Sequence, residues 1–201
     1  MISSVAADPG QLTTLQRRGI SYDFVVSEVL SNASLALPSP AVGYAPEEMV
    51  LNSIHGKPYA VRDWLTSYPL LLVSLDPYTH ESAWILETAG RFLDHFTPAN
   101  VRTAWLCTSD AEGCRQFLGP WADKFLTFAD DDRAVVEALG IERLPSVTAI
   151  YPDLSFATAT GWDPTAWREV TSHLAKTLSW SRPMIPRPGD PLPYQGTPAR
   201  A

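Results

Sequence analysis

The stretch Leu70-Leu71-Leu72-Val73-Ser74-Leu75-Asp76-Pro77-Tyr78-Thr79-His80-Glu81-Ser82 determines how the whole chain is interpreted. Its first six residues are almost continuously apolar, which is typical of a central strand buried on both faces. The turn Asp76-Pro77-Tyr78 follows, and the spacing of apolar residues beyond it predicts a helix over Ser82–Phe96. Farther along, Leu144-Pro145-Ser146 opens a second apolar strand. These segments predict an α/β protein in which a buried strand runs through a short turn into a helix.

The composition limits the classes of protein to be considered. The chain has 201 residues, 45% hydrophobic and 18% charged, which is typical of a globular protein with one sizeable core. A net charge of −7 and the lack of a basic run argue against a general nucleic-acid binder. No apolar stretch approaches the ~20 residues that span a bilayer, and Met1–Arg18 lacks the apolar region of a signal peptide. We therefore expect a cytoplasmic protein without membrane insertion.

Beyond the central strand, turn residues and apolar periodicity predict a regular series of elements. A hairpin is expected across His55-Gly56-Lys57-Pro58, and Asp163 is expected to cap the last helix, with Pro164 in its first turn. The predicted strands are Met49–Ile54, Tyr59–Val61, Val101–Cys107, Leu126–Phe128, Ser146–Tyr151 and Ser155–Thr160, and helices are expected over Asp110–Leu118 and from Asp132 through Leu139. This order predicts a central mixed sheet flanked by helices.

The chain divides into three parts by composition. Residues 1–40 are weakly patterned and form an N-terminal extension, residues 41–180 hold the predicted domain, and residues 181–201 form a proline-rich tail. The tail cannot be a helix or a central strand, so we expect it to be extended. Two roles are open for it. It wraps back over its own domain, anchored by Met184, Ile185 and Tyr194, or it docks on a partner or a second subunit.

Tryptophan is frequent in this sequence, with seven residues. Helical and strand periodicity places most of them in the predicted core, Trp84 included. Trp162 and Trp180 are better candidates for the surface or for packing against the tail, since they flank the last predicted helix. An exposed aromatic side chain is a frequent anchor for binding partners.

From Met49 to Trp180 the order of elements resembles the thioredoxin-like superfamily, and in particular its redoxin branch with the peroxiredoxins and TlpA-type reductases. Gly56-Lys57 is similar to the hairpin of that branch, and Leu144-Pro145-Ser146 is similar to the cis-proline loop of the superfamily. Trp162-Asp163-Pro164 and the tail Tyr194–Pro198 resemble an actinobacterial group of these proteins. The resemblance implies a thioredoxin-like fold with its site where the first central strand meets its helix.

The chain departs from that family at the residues that carry its chemistry. Thr79 and Ser82 stand at the two positions of the Cys-x-x-Cys motif, and Ser82 also stands at the peroxidatic position of a peroxiredoxin. The family's chemistry needs a thiolate, and a serine hydroxyl forms neither a disulfide nor a sulfenic acid. Thiol redox catalysis at this turn is therefore excluded by atom type. The simpler interpretation of both hydroxyls is helix capping.

Two cysteines, Cys107 and Cys114, remain elsewhere in the chain. They are too few for a disulfide framework. We expect two buried and inert thiols, and the alternative is a redox pair displaced from the usual site. The histidines show no paired spacing, and no glycine-rich phosphate or dinucleotide loop is present. We therefore expect neither a metal nor another cofactor.

Three functions are consistent with these residues. The first is a non-catalytic protein whose groove binds a peptide or another protein, since a cis-proline loop can pair with an extended backbone without any cysteine. The second is a thiol-disulfide oxidoreductase or peroxiredoxin-like protein that uses Cys107 and Cys114. The third is a subunit of a larger assembly, or of a homo-oligomer, held through its terminal extensions. The residues expected to line the groove are Asp76, Tyr78, Thr79, His80, Ser82, Pro145, Ser146 and Trp162.

Overall fold

The computed structural model describes residues 40–200, in which a central sheet carries helices on both faces. The predicted N-terminal extension lies outside the described residues apart from Pro40. The strands are β1 (Ala41–Tyr44), β2 (Val50–Ser53), β3 (Pro58–Ala60), β4 (Leu70–Leu75), β5 (Arg102–Cys107), β6 (Leu126–Ala129), β7 (Arg143–Leu144), β8 (Ser146–Ile150), β9 (Ser155–Thr160) and β10 (Thr197–Pro198). The helices are α1 (Val61–Trp64), α2 (His80–Phe96), α3 (Ala111–Leu118), α4 (Trp121–Lys124), α5 (Ala134–Ala138) and α6 (Pro164–Thr177).

The main sheet has eight strands in the order β1-β9-β8-β4-β5-β6-β2-β3. Strands β4, β5 and β6 run parallel, while β8, β9 and β1 continue the sheet on the other side in antiparallel pairs. The hairpin of β2 and β3 joins the far edge, because β2 pairs with β6. The predicted mixed sheet is therefore confirmed. A second small sheet consists of β7 and β10 alone.

Strand β4 lies at the centre of this sheet and is buried along its whole length. Its side chains alternate between two separate cores, since successive residues of a strand point to opposite faces. Leu71, Val73 and Leu75 enter the core beneath α2 and α6, whereas Leu70 and Leu72 enter the core beneath α1 and α5. The near-continuous apolar run is thus explained by helices on both sides.

Helix α2 begins directly after the turn that follows β4, two residues earlier than the sequence predicts. Its apolar stripe packs on the sheet through Ile85, Ala89 and Phe92, which are buried. Helix α6 begins as predicted. The carboxylate of Asp163 accepts hydrogen bonds from the backbone N–H groups of Thr165 (3.0 Å) and Ala166 (3.2 Å), and Pro164 occupies the first turn.

Helix α5 begins differently from the prediction. Asp132 accepts a hydrogen bond from the N–H group of Ala134 (3.1 Å), but the buried carboxylate of Asp130 accepts from Val135 (2.9 Å) and Val136 (3.0 Å). Burial raises the pKa of Asp130. The chain can bring Asp130 under the helix because Arg133 adopts a left-handed conformation with φ of 59°. That turn also places the Arg133 side chain beside the end of β4.

The proline-rich tail wraps back over its own domain. Ile185 is buried and Tyr194 is half-buried, whereas Met184 is 72% exposed, so the predicted anchoring by Met184 is wrong. The strongest polar anchor is Asp190, which pairs with Arg91 and accepts a hydrogen bond from the Thr88 hydroxyl (2.8 Å). The described tail makes no long strand because its prolines cannot donate to a ladder.

Charge and burial act in opposite directions on Asp190. Burial raises its pKa, but hydrogen bonds from Arg187 N–H and Thr88 and the charge of Arg91 prevail, so the pKa of Asp190 is lowered. A lowered pKa in the folded state means that this anchor stabilises the docked tail above the ordinary Asp pKa of ~3.9 and weakens as the pH falls below it.

No helix within residues 40–200 has the length and apolar character needed to cross a membrane.

Loss of the Asp163 cap is expected to destabilise the domain. Asp163→Ala leaves two N–H groups at the start of α6 without their acceptor, which costs about 1 kcal/mol in the free energy of unfolding. Urea denaturation followed by tryptophan fluorescence measures this loss. Glu169→Ala is the matched control, since Glu169 is exposed on the same helix, and it is expected to change stability by less than about 0.5 kcal/mol. Equal losses in both variants would contradict the capping role.

Candidate functional site

The turn between β4 and α2 is held together by its own hydroxyl groups. The Ser82 hydroxyl oxygen is fully buried and accepts a hydrogen bond from the backbone N–H of Asp76 (2.9 Å). The Thr79 hydroxyl donates to the carbonyl oxygen of Asp76 (3.0 Å) and lies 3.1 Å from the Ser82 hydroxyl. Thr79 is the N-cap residue of α2, but its side chain makes no capping hydrogen bond. The predicted capping role is therefore wrong: both hydroxyls close the turn instead.

Asp76 connects this turn to the loop before α5. Asp76 is 5% exposed, and one of its carboxylate oxygens accepts from the N–H group of Tyr78 (2.9 Å). The other oxygen pairs with the Arg133 guanidinium (3.0 Å). A buried carboxylate needs such partners, since leaving it unpaired costs several kcal/mol. The ion pair thus fixes the Arg133 side chain against the turn.

Aromatic side chains remain exposed around the turn. Tyr78 is 79% exposed and Trp84 is 60% exposed. The exposed His80 ring stacks on Trp84 at 6.3 Å between centroids, and Tyr194 of the tail meets Trp84 edge-on at 5.9 Å. We refer to Tyr78, His80, Trp84 and Tyr194 as the aromatic surface. The sequence pattern wrongly predicts Trp84 in the core.

The Pro145 loop lies beside the turn but is buried. The Leu144–Pro145 bond is cis, as the resemblance implies, and the Pro145 carbonyl oxygen accepts from Gly161 N–H (2.7 Å). Ser146 is fully buried and pairs across the sheet with Ser74. Neither serine hydroxyl has a hydrogen-bond partner among the described residues. Ser146 is therefore not a surface residue of the predicted groove.

Trp162 is buried beneath the tail. Its indole N–H donates to the carbonyl oxygen of Pro191 (2.9 Å), and its backbone pairs with Tyr194 in both directions. The prediction that Trp162 packs against the tail is confirmed, while its surface position is wrong. Of the predicted groove residues, Tyr78 and His80 are exposed and Thr79 is partly exposed. The other five, Asp76, Ser82, Pro145, Ser146 and Trp162, are covered by their own domain and its tail.

The two cysteines are neighbours within one core. Cys107 ends β5 and Cys114 lies on α3; both are fully buried free thiols. Interaction with the Cys114 thiol, together with burial, raises the pKa of Cys107 well above its ordinary value. The same interaction lowers the pKa of Cys114, whose sulfur also contacts the Ser109 carbonyl oxygen at 3.7 Å. Among the described residues no group of three or more His, Cys, Asp or Glu side chains could hold a metal ion.

Several solved structures of low sequence identity share the fold of this chain. The chain superposes on Mycobacterium tuberculosis DsbF with a TM-score of 0.53 and 17% identity, covering 64% of this chain and 98% of that one. The chain has the thioredoxin-like fold. A cysteine-to-serine mutant of Xylella fastidiosa PrxQ gives a TM-score of 0.52 at 13% identity, with 67% and 97% coverage. Peroxidoxin BcpB from Mycobacterium tuberculosis gives 0.51 at 15% identity, with 71% and 96% coverage. No protein-family model and no curated protein sequence matches the chain.

Two residues of the candidate site escape sequence reasoning. Arg133 reaches Asp76 only because the backbone turns left-handed at that position, and nothing in its neighbourhood predicts this. The exposure of Trp84 has one indication in the sequence, although apolar periodicity favours the core. Trp84 lies four residues after His80 near the start of α2, so the two rings share one helix face.

Introducing two cysteines at the turn is expected to create a disulfide. The Thr79 and Ser82 hydroxyls lie 3.1 Å apart at the start of α2, and thiols at a helix N-terminus have a lowered pKa. Thr79→Cys with Ser82→Cys should therefore oxidise reversibly and reduce insulin in the presence of dithiothreitol, while the wild type does not. Each single variant is the control, since it has no partner sulfur in the turn. A double variant whose new thiols stay reduced under glutathione disulfide would contradict this geometry.

Proposed function

We propose that the protein is a non-catalytic, thioredoxin-fold module that binds an extended segment of a partner protein. The observation that carries the proposal is the turn before α2, where two hydroxyls replace the sulfurs and are engaged in internal hydrogen bonds. Among the described residues neither hydroxyl is hydrogen-bonded to a basic side chain, since the partners of Ser82 and Thr79 are each other and the backbone of Asp76. A nucleophile needs such a base.

The aromatic surface supplies the contact area for this binding. Tyrosine and tryptophan side chains that remain exposed in a folded domain are frequent anchors, because they bury a large apolar area at a small entropic cost. Tyr78 and Trp84 flank the turn, and the Tyr78 hydroxyl is fixed by the Ser109 hydroxyl at 3.2 Å. A peptide that follows the turn would contact both rings.

A cytoplasmic location stays a prediction from the sequence.

Selection from a displayed peptide library tests the proposal. Peptides enriched on the full-length wild type are expected to lose at least about tenfold in affinity when Tyr78→Ala or Trp84→Ala removes an anchor, the usual effect of truncating a hot-spot residue. Fluorescence anisotropy of a labelled peptide measures the dissociation constant. Leu192→Ala is the matched control, because Leu192 is 85% exposed and lies on the tail outside the aromatic surface. No enrichment, or equal affinity for all variants, would reject the proposal.

The neighbouring thiols support a second candidate, a redox protein that works through Cys107 and Cys114. Their mutual interaction lowers the pKa of Cys114, which favours its thiolate. Hydrogen peroxide would oxidise that thiolate to a sulfenic acid with release of hydroxide; attack by Cys107 sulfur would then form the disulfide and release water. Complete burial of both residues argues against a large substrate.

The role of a subunit fixed by its tail stays a prediction, and the described tail packs on its own domain.

Counting thiols decides between inert and redox-active cysteines. We expect both thiols to be unreactive in the native wild type and to appear on denaturation, because both are fully buried. Mild peroxide treatment should leave both countable in denaturant. Cys114→Ser is the comparison: if the wild type loses two thiols together and regains them with reductant while Cys114→Ser does not, the inert assignment is wrong and the second candidate stands.

A further inference from the structure

The last described residues occupy the edge of strand β7. We call Gly196–Arg200 the outer tail and Ser181–Gln195 the inner tail. Thr197 and Pro198 pair antiparallel with Leu144 and Arg143, directly before the cis proline. The Ala199 N–H donates to the Glu142 carbonyl oxygen (2.8 Å), and the Arg143 guanidinium donates to the Gly196 carbonyl oxygen (2.8 Å). An extended segment is thus bound to this edge by backbone contacts, as in strand addition.

The contacts of the outer tail restrict the residue type at two positions, 196 and 199. Gly196 has a φ of 76°, and a Cβ atom there would lie 2.3 Å from the Leu144 carbonyl oxygen, so only glycine fits. Three residues later, the Ala199 methyl group is fully buried in the core beneath α5. Pro198 and Arg200 are exposed between and beyond these positions. The edge therefore accepts the pattern Gly-x-x-Ala in extended form.

The groups that hold the outer tail belong to the domain and are held in place by the domain itself. The Arg133 guanidinium donates to the Ala199 carbonyl oxygen, and Asp76 holds that guanidinium from the other side at 3.0 Å. Strand β7 pairs with no strand other than β10 among the described residues. If the outer tail leaves, β7 presents unpaired backbone groups beside an apolar pocket and a fixed arginine. Such an edge is a template for another extended segment.

The two parts of the tail are held very differently. The inner tail is anchored by the buried Asp190 pair and by the backbone pairing of Tyr194 with Trp162. The outer tail is held by its own set of contacts: the two-residue ladder, the Ala199 N–H bond to Glu142, the Arg143 and Arg133 guanidinium groups on its carbonyl oxygens, and one buried methyl group. The ion pair of Arg200 with Glu137 (3.6 Å) is exposed, and exposed ion pairs contribute about 0–1 kcal/mol. Because the two sets of contacts are separate, the outer tail can leave β7 without breaking the anchors of the inner tail.

We propose that the outer tail is a built-in competitor: it occupies the edge of β7 beside the cis-proline loop, with Arg133 and the Ala199 pocket, where a partner's extended Gly-x-x-Ala segment would otherwise bind. The proposal rests on the proposed function, because the cis-proline loop belongs to the groove expected to pair with a partner's extended segment. A tethered competitor has an effective concentration of about 1 mM. A partner segment therefore displaces the outer tail only if its own concentration and affinity outweigh that of the tethered tail. Asp76 joins the edge to the turn before α2 through Arg133.

Full-length Gly196→Ala tests the inference. Its Cβ atom would collide with the Leu144 carbonyl oxygen and is expected to expel the outer tail. A fluorescent synthetic peptide with the sequence of Tyr194–Arg200 should then bind at least about tenfold more tightly to the variant than to the wild type, because the competitor is gone. Ala199→Asp, which would bury a carboxylate in an apolar core, should act in the same way. Hydrogen exchange at the residue 199 amide reports whether the tail has left.

Two controls make the outcome decisive. Gln195→Ala changes an exposed neighbour and should leave affinity and exchange as in the wild type. The peptide with alanine in place of its glycine should not bind any variant. An expelled tail without peptide binding overturns the proposal, as does a residue 199 amide that stays protected from exchange in both variants. A wild-type dimer by light scattering that Gly196→Ala converts to monomer also overturns it, because the edge then serves a second copy's tail. The Tyr78 and Trp84 variants report separately on the aromatic surface.

Discussion

The burial of strand β4 on both faces is the constraint on which the other features depend. Its side chains pack in both cores, on opposite faces of the sheet, and this packing fixes the carboxyl end of the strand within the molecule. Asp76 is the first residue beyond that end, and it is buried as well. A carboxylate in such a place requires compensation, which Arg133 and the Tyr78 N–H provide. Through Arg133 this charge connects the turn with the loop before α5 and with the Ala199 carbonyl oxygen of the outer tail.

The replacement of sulfur by oxygen changes the chemistry of the turn but preserves its shape. A hydroxyl is a better hydrogen-bond donor and acceptor than a thiol, and Ser82 and Thr79 use that capacity to close the backbone around Asp76. The helix that follows then begins without a side-chain cap. The hydroxyl groups at these two positions thus serve the backbone of the turn through internal hydrogen bonds.

The tail covers its own domain in two ways. Its inner part lies over Trp162 and is held by Asp190, whereas its outer part pairs with β7 in the manner of an added strand. Asp76 is hydrogen-bonded to the Tyr78 N–H and paired with Arg133, which in turn contacts the outer tail at Ala199. The turn before α2 and the end of the tail are therefore connected through one buried ion pair.

The sequence by itself determined the central strand, the start of the last helix and the absence of sulfur at the turn, because local patterns carry that information: a continuous apolar run at Leu70–Leu75, an Asp-Pro start at α6, and atom types at Thr79 and Ser82. Only the tertiary structure decided which groove residues are accessible and where the tail lies. Arg133 meets Asp76 across 57 positions of the chain, and Gly196 meets Leu144 across a similar separation. Contacts between distant residues depend on the packed fold, and no local periodicity encodes them.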